Sequence, residues 1–142
     1  MPQRNIHRDT VKAWRDGWGE TLSPEALIGV YERTLDALWR RAHMSLGEIT
    51  LMAIVDRVLH DGTGKFPHLA ALKVETSGVQ FGALRLAAQG VAPALLDESL
   101  AFLVVELLRV FGSLTGEILT PGLHAELRKV RIHPVDDKGG TV

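Results

Sequence analysis

The chain has 142 residues, of which 46% are hydrophobic and 23% charged, a composition typical of one folded globular domain. Its formal net charge of -1 lacks the basic excess that neutralises phosphates, so we expect no nucleic-acid partner. Cysteine is absent, which excludes disulfides and thiolate chemistry; with no apolar run long enough to span a membrane, this favours a cytoplasmic protein.

The polar N-terminal stretch, residues 1–20, carries an apolar set at helical spacing, formed by Val11, Trp14 and Trp18. Steps of three and four residues place this set on one face of a short helix or arm. We expect the two tryptophans to dock on the core. The alternative is an exposed aromatic patch that binds a partner.

Two longer helices are predicted next. The first covers residues 24–43, because Ser23 is followed by a proline and a glutamate and then by an amphipathic stripe. The second begins at Ser45, which together with Glu48 forms a capping box. The run Asp-Gly-Thr-Gly at 61–64 predicts its end. A phosphate-binding loop is not favoured there, since a helix precedes the run and Phe-Pro follows the lysine.

The middle of the chain predicts a short β-hairpin. Residues 72–75 and 79–81 alternate between apolar and polar side chains, and a Thr-Ser-Gly turn separates them. One or two helical turns are expected over residues 83–88, ended by Gly90.

The longest predicted helix runs from about Pro93 or Asp97 to Leu119 and is apolar on nearly every face. Glu106 and Arg109 are its only charges between Leu100 and Phe111. Because a small domain has difficulty covering such a helix, we predict a homodimer interface with this ion pair at its rim. The predicted interface residues follow steps of three and four: Leu96, Leu100, Leu103, Leu107, Val110 and Leu114.

A last short helix is predicted to begin at Thr120 and to end at His133, and residues 133–142 are predicted to form a disordered tail. The predicted fold is therefore all-α, or mostly α with one short β-hairpin. Residues 1–132 would form a single domain, a dimeric bundle of four to five helices.

No catalytic residue, metal site or cofactor is predicted from the motifs. Three histidines are candidates for holding a cofactor, His60, His68 and His124, because haem ligation needs only one imidazole and an apolar pocket. Such a pocket is expected near His68 and three phenylalanines: Phe66, Phe81 and Phe111.

Two stretches resemble a known family. Residues 22–33, which read Leu-Ser-Pro-Glu-Ala-Leu-Ile-Gly-Val-Tyr-Glu-Arg, resemble the opening helix of the N-terminal domain of bacterial stress-response serine phosphatases. Residues 98–112, which end in an aromatic-Gly pair, resemble the last helix of that domain. The resemblance covers under a quarter of the chain and implies a helical dimer that binds a regulatory kinase-like protein.

The sequence therefore favours a non-enzymatic bacterial regulatory or signalling module that acts through helical dimerisation and partner binding. The partner-binding candidates are Trp14, Trp18, Glu106 and Arg109. Two alternatives remain open. One is a sensor that binds haem or a small ligand, and the other is an enzyme whose site is assembled from separate helices, with His60, His68 and Glu106 as candidates.

Overall fold

The computed structural model describes residues 5–19 and 21–132, and within them the chain is mostly helical. The predicted tail at 133–142 lies outside the described residues. The helices are α1 (Ile6–Asp16), α2 (Pro24–Leu46), α3 (Glu48–Lys65), α4 (Gly82–Ala87), α5 (Pro93–Leu114) and α6 (Thr120–Lys129). The 3-10 helices are Pro67–Ala71 and Ala88–Gly90. None of the described helices is long and apolar enough to cross a bilayer.

A two-stranded antiparallel sheet confirms the predicted hairpin. Strand β1 (Lys73–Glu75) pairs with β2 (Gly78–Gln80), and Val74 lies opposite Val79. The mostly α fold with one short hairpin is therefore confirmed. The six-residue helix α4 takes the number of α-helices in the described ranges beyond the four to five that were predicted.

The junction between α2 and α3 corrects a predicted cap. Ser45 lies inside α2 and is exposed, and α3 begins at Glu48 without a side-chain cap. Gly47 separates the helices with φ +79°, and its N–H donates to the carbonyl of His43 at 3.1 Å. A left-handed glycine thus ends α2 where the capping-box pattern predicted a serine to start α3.

The predicted helix stop at residues 61–64 is also wrong, since α3 continues to Lys65. Gly62 is buried, and a Cβ built there would lie 3.1 Å from the side chain of Leu69 and 3.6 Å from the ring of Phe102. This glycine therefore allows close packing within a helix. The helix ends at Phe66, whose extended backbone is the conformation favoured before a proline.

Helix α5 lies at the centre of the fold and packs against α1, α2, α3 and α6. This surrounds it with its own chain and corrects the predicted interface. The solvent-exposed fraction is 0% for Leu96, Leu100 and Leu103 and 2% for Leu107. These four side chains form the core, so they are not available to a second copy. Val110 is half-buried, and Leu114 is exposed.

Candidate partner-binding groove

A polar clasp joins α1 to α5. The guanidinium of Arg15 donates to both carboxylate oxygens of Asp97, at 2.6 and 3.2 Å, and the hydroxyl of Tyr31 donates to the same carboxylate at 2.7 Å. Burial and the neighbouring Asp97 carboxylate raise the pKa of Tyr31. Burial opposes the charge on Arg15, but the hydrogen bond to Asp97 and the attraction of Tyr31, Asp97 and Asp16 together outweigh it and raise the pKa of Arg15. The clasp formed by Arg15 and Asp97 is thus a bidentate, charge-assisted hydrogen-bonded pair that is partly shielded from water.

Two tryptophans extend this contact. The rings of Trp14 and Trp18 pack edge-on against each other and against Tyr31, with centroids 5.3 to 6.0 Å apart. Trp14 Nε1 donates to the carbonyl of Val130 at 3.1 Å. Both tryptophans are half-buried, so they dock on the core while part of each ring stays accessible.

A groove of about 760 Å³ lies between α1 and α5, which we call the α1–α5 groove. Its α5 wall extends from Pro93 to Glu106, which at 1.5 Å per residue is about 20 Å. The floor is apolar, and it includes Val11, Leu22, Leu27, Phe66, Ala101, Phe102 and Val105. Its length and apolar floor suit three turns of a second helix.

The two walls of the α1–α5 groove carry opposite charges. Arg8 and Lys12 are exposed along α1, where Lys12 pairs with Asp16 at 2.8 Å, whereas Glu98 and Glu106 line the α5 side together with Lys65. The α1 side is therefore basic in net charge and the opposite side acidic in net charge. Trp18 also lines the groove; its Nε1 is buried and has no hydrogen-bond partner within the part of the chain that the structure describes. Buried donors are normally paired, so this Nε1 is an exception among the described residues.

A pair of buried histidines fixes the other side of α1. His7 Nδ1 on α1 lies 2.9 Å from His124 Nε2 on α6, and His124 Nδ1 lies 3.3 Å from the hydroxyl of Thr10. His7 Nε2 lies 3.8 Å from the carboxylate of Glu117. Burial lowers the pKa of both imidazoles, more than Glu117 raises it. The candidate cofactor residue His124 is therefore engaged within the protein.

The loop that presents Glu117 is strained. Glu117 has φ +68°, the left-handed region that non-glycine residues seldom adopt, and its N–H donates to the carbonyl of Gly112 at 2.7 Å. A Cβ on Gly112 would lie only 2.6 Å from a Glu117 carboxylate oxygen. Because Gly112 has no side chain, the carboxylate of Glu117 can lie close to the backbone of Gly112 and near His7. Strain of this kind concentrates at functional sites.

The other predicted cofactor and enzyme residues have separate surroundings. His60 is exposed, His68 Nε2 lies 2.7 Å from the hydroxyl of Ser99, and Glu106 accepts from Arg109 at 2.8 Å. Burial lowers the pKa of His68. In the described ranges, no three His, Cys, Asp or Glu side chains are grouped to hold a metal ion.

Two phenylalanines of the predicted apolar pocket lie in the packed core. Phe81 and Phe111 are both 1% exposed, and the cavity that Phe111 lines has a volume of about 10 Å³. That is room for about one water molecule, far below the roughly 300 Å³ of a small ligand pocket.

A second accessible feature is an apolar end of the bundle. Helices α3 and α5 run antiparallel, because Gly62 faces Phe102 while Ile54 lines the same cleft as Val110. The start of α3 and the end of α5 therefore meet at one end. Four large apolar side chains there are more than half exposed, and we call them the apolar end: Met44, Ile49, Leu114 and Ile118.

Sequence reasoning missed the residues that organise α1. His7 and His124 are 117 positions apart, and Arg15 and Asp97 are 82 apart, so no local spacing indicates either contact. Of the predicted partner-binding residues, Trp18 and Glu106 line the α1–α5 groove, whereas Trp14 lines the neighbouring cleft with Arg131. Comparison with protein families, curated proteins and solved structures finds no match to this chain.

Proposed function

We propose that this protein is a regulatory module that binds an amphipathic helix of a partner protein in the α1–α5 groove. The observation that carries the proposal is the apolar floor of the α1–α5 groove, which lies between the basic α1 side and the acidic α5 side. Helix-in-groove recognition uses apolar side chains at steps of three and four as anchors. The family resemblance of residues 22–33 and 98–112 points to the same class of function, binding of a regulatory protein.

The charges of the walls define the partner's chemistry. Arg8 and Lys12 favour carboxylates along one edge of the bound helix, and Glu98 and Glu106 favour ammonium or guanidinium groups along the other. The partner segment is therefore a helix of about three turns with an apolar face and edges of opposite charge.

A display library tests this directly. Its peptides share an apolar face at i, i+3, i+4 and i+7, and each edge position carries either Glu or Lys. Selection on the wild-type protein should enrich peptides with one acidic and one basic edge. Selection on Arg8→Glu/Lys12→Glu, whose two walls are both acidic, should enrich peptides with Lys on both edges. Both substituted residues are exposed, so the fold should be retained.

The matched control is Lys73→Glu/Lys129→Glu, which changes the net charge equally at exposed positions that do not line the groove. It should select the same peptides as the wild type. Identical peptides from the Arg8→Glu/Lys12→Glu variant, or no enrichment on the wild type, would refute helix binding in this groove.

A second proposal concerns self-association through the apolar end. The apolar end takes the place of the interface predicted on α5. Its four side chains are exposed, whereas the first four leucines of the predicted α5 interface are buried. Exposed apolar clusters mark interaction sites. These four side chains carry no charge, so two copies related by a twofold axis can meet there without opposing like charges.

Sedimentation velocity over a concentration series tests this proposal. The wild type should shift from monomer towards dimer, and Ile118→Glu should remain monomeric because a carboxylate would be buried in the contact. Leu86→Glu is the control, since Leu86 is 72% exposed on α4. A wild type that is monomeric throughout, or a dimer that Ile118→Glu leaves intact, contradicts it.

A further inference from the structure

The contact between His7 and His124 has room for one proton. Their facing nitrogens, Nδ1 and Nε2, are 2.9 Å apart, so one must donate and the other accept. A consistent assignment runs from the Thr10 hydroxyl to His124 Nδ1, from His124 Nε2 to His7 Nδ1, and from His7 Nε2 towards Glu117. Two imidazolium ions would point N–H at N–H across this distance, which breaks the hydrogen bond.

The surrounding charges set how the pair responds to acid. Arg109 on α5 disfavours a positive charge on His7, Arg128 on α6 disfavours one on His124, and Glu117 in the loop favours both. From α2, Arg41 pairs with Glu126 on α6 at 3.8 Å. Glu117 is more than half exposed, so water weakens its attraction. Burial and the two arginines therefore keep the pair neutral near pH 7.

Release of this contact would act on α1 in particular. His7 and Thr10 both belong to α1, and only one further ion-paired clasp, Arg15 with Asp97, is described between α1 and α5. Helix α1 has eleven residues, of which His7 and Val11 are buried. A helix so short is marginal in water without tertiary contacts. Loss of the histidine contact thus removes a main attachment of one wall of the α1–α5 groove.

We infer that the His7–His124 pair is a proton-operated latch that holds α1 in place and opens the α1–α5 groove when both imidazoles become charged. Its role in binding rests on the proposed function, but release of α1 does not. Since folding lowers the pKa of both groups below 6.5, the unlatched state binds more protons than the latched state. The latch is therefore fully closed above pH 6.5 and weakens as the pH falls below that value.

Tryptophan emission reports the latch without any ligand. Two of the three tryptophans, Trp14 and Trp18, lie on or next to α1, whereas Trp39 is buried in α2. Titration from pH 7.5 to 5 should shift the emission to longer wavelength by part of the shift on complete unfolding, because Trp39 stays buried. Far-ultraviolet circular dichroism should lose only the share of α1. No emission shift, or loss of all helices together, would overturn the inference.

A double variant removes the protons but keeps the contact. In His7→Asn/His124→Gln, the Asn oxygen stands near the accepting Nδ1 and the Gln nitrogen near the donating Nε2. This variant should keep α1 docked down to pH 5 and bind a selected peptide equally at both pH values. The control His68→Gln removes a half-buried imidazole, which contacts Ser99, and should keep the wild-type emission transition. An unchanged transition in the double variant would overturn the inference.

Imidazole NMR on the wild type keeps the test valid if the double variant fails to fold. The nitrogen signals of His7 and His124 should titrate together below pH 6.5, in step with the amide signals of α1. If the imidazole signals titrate with a midpoint at pH 6.5 and the amide signals of α1 do not change, the latch is refuted. If α1 is released by acid but no peptide binds at either pH, the latch stands and the proposed function fails.

Discussion

Helices α5 and α1 are held in place by different physics. Helix α5 is surrounded by four other helices, and eleven of its residues are buried. Helix α1 buries only His7 and Val11, and it is attached through a histidine pair, an Arg–Asp clasp and half-buried tryptophans. Apolar packing contains no titratable group and therefore responds little to pH, whereas the histidine contact of α1 is lost when both imidazoles become charged. The molecule thus combines a fixed core with a releasable wall.

The largest effect is expected in the core. Leu103→Ala should lower the free energy of unfolding by about 2–5 kcal/mol, because Leu103 is fully buried at the centre of α5 and its removal leaves a cavity. Urea unfolding measures the change. Leu86→Ala, at an exposed position, should be within about 0.5 kcal/mol of the wild type. A change below about 1 kcal/mol for Leu103→Ala would show that α5 is not the packed centre.

A smaller and more local effect is expected at the clasp. Asp97→Ala leaves the buried hydroxyl of Tyr31 and the guanidinium of Arg15 without their acceptor, at a cost of about 1–3 kcal/mol. Tryptophan emission should shift to longer wavelength at neutral pH while the amides of α5 remain protected. Glu98→Ala, the exposed neighbour, is the control. If the amides of α5 lose protection when α1 is released, α5 and α1 do not behave as a fixed core and a separately releasable helix.

The smallest effects distinguish two serines. Ser23 Oγ accepts from the N–H of Ala26 at 3.2 Å, so Ser23→Ala should cost about 0.5–2 kcal/mol as a lost cap. Ser45 is exposed inside α2, so Ser45→Ala should change stability by no more than about 0.5 kcal/mol. Chemical unfolding compares the two variants. An equal loss from both would mean that Ser45 also caps a helix.

Local patterns predicted the elements that local chemistry determines. The alternation around residues 72–81 gave the hairpin, and the proline after Thr120 marked the start of α6. The helix boundaries at the α2–α3 junction and near residues 61–64 were predicted wrongly, because the same short glycine-containing pattern occurs in two different structures. A glycine in a Ser-x-Gly-Glu run can end one helix instead of joining the cap of the next, as at Gly47, and Gly62 serves close packing within α3.

The candidate groove was beyond sequence reasoning for a different reason. The apolar character of α5 was evident, but periodicity does not show how many elements of the same chain surround a helix. Trp18 was selected from the apolar set at helical spacing and Glu106 as a charge within an apolar helix, and both line the groove. Asp97 and His7 were not, because their partners are distant in sequence and each residue alone is typical of an exposed helix face.

Hydrogen exchange measured by mass spectrometry at pH 7.5 and 5.5, corrected for the intrinsic rates, tests the separation of α1 from the core most directly. We expect amides of α1 to exchange through a local opening that becomes more frequent at the lower pH, while amides of α5 exchange only through global unfolding. Equal protection of α1 and α5, changing together with pH, would contradict it.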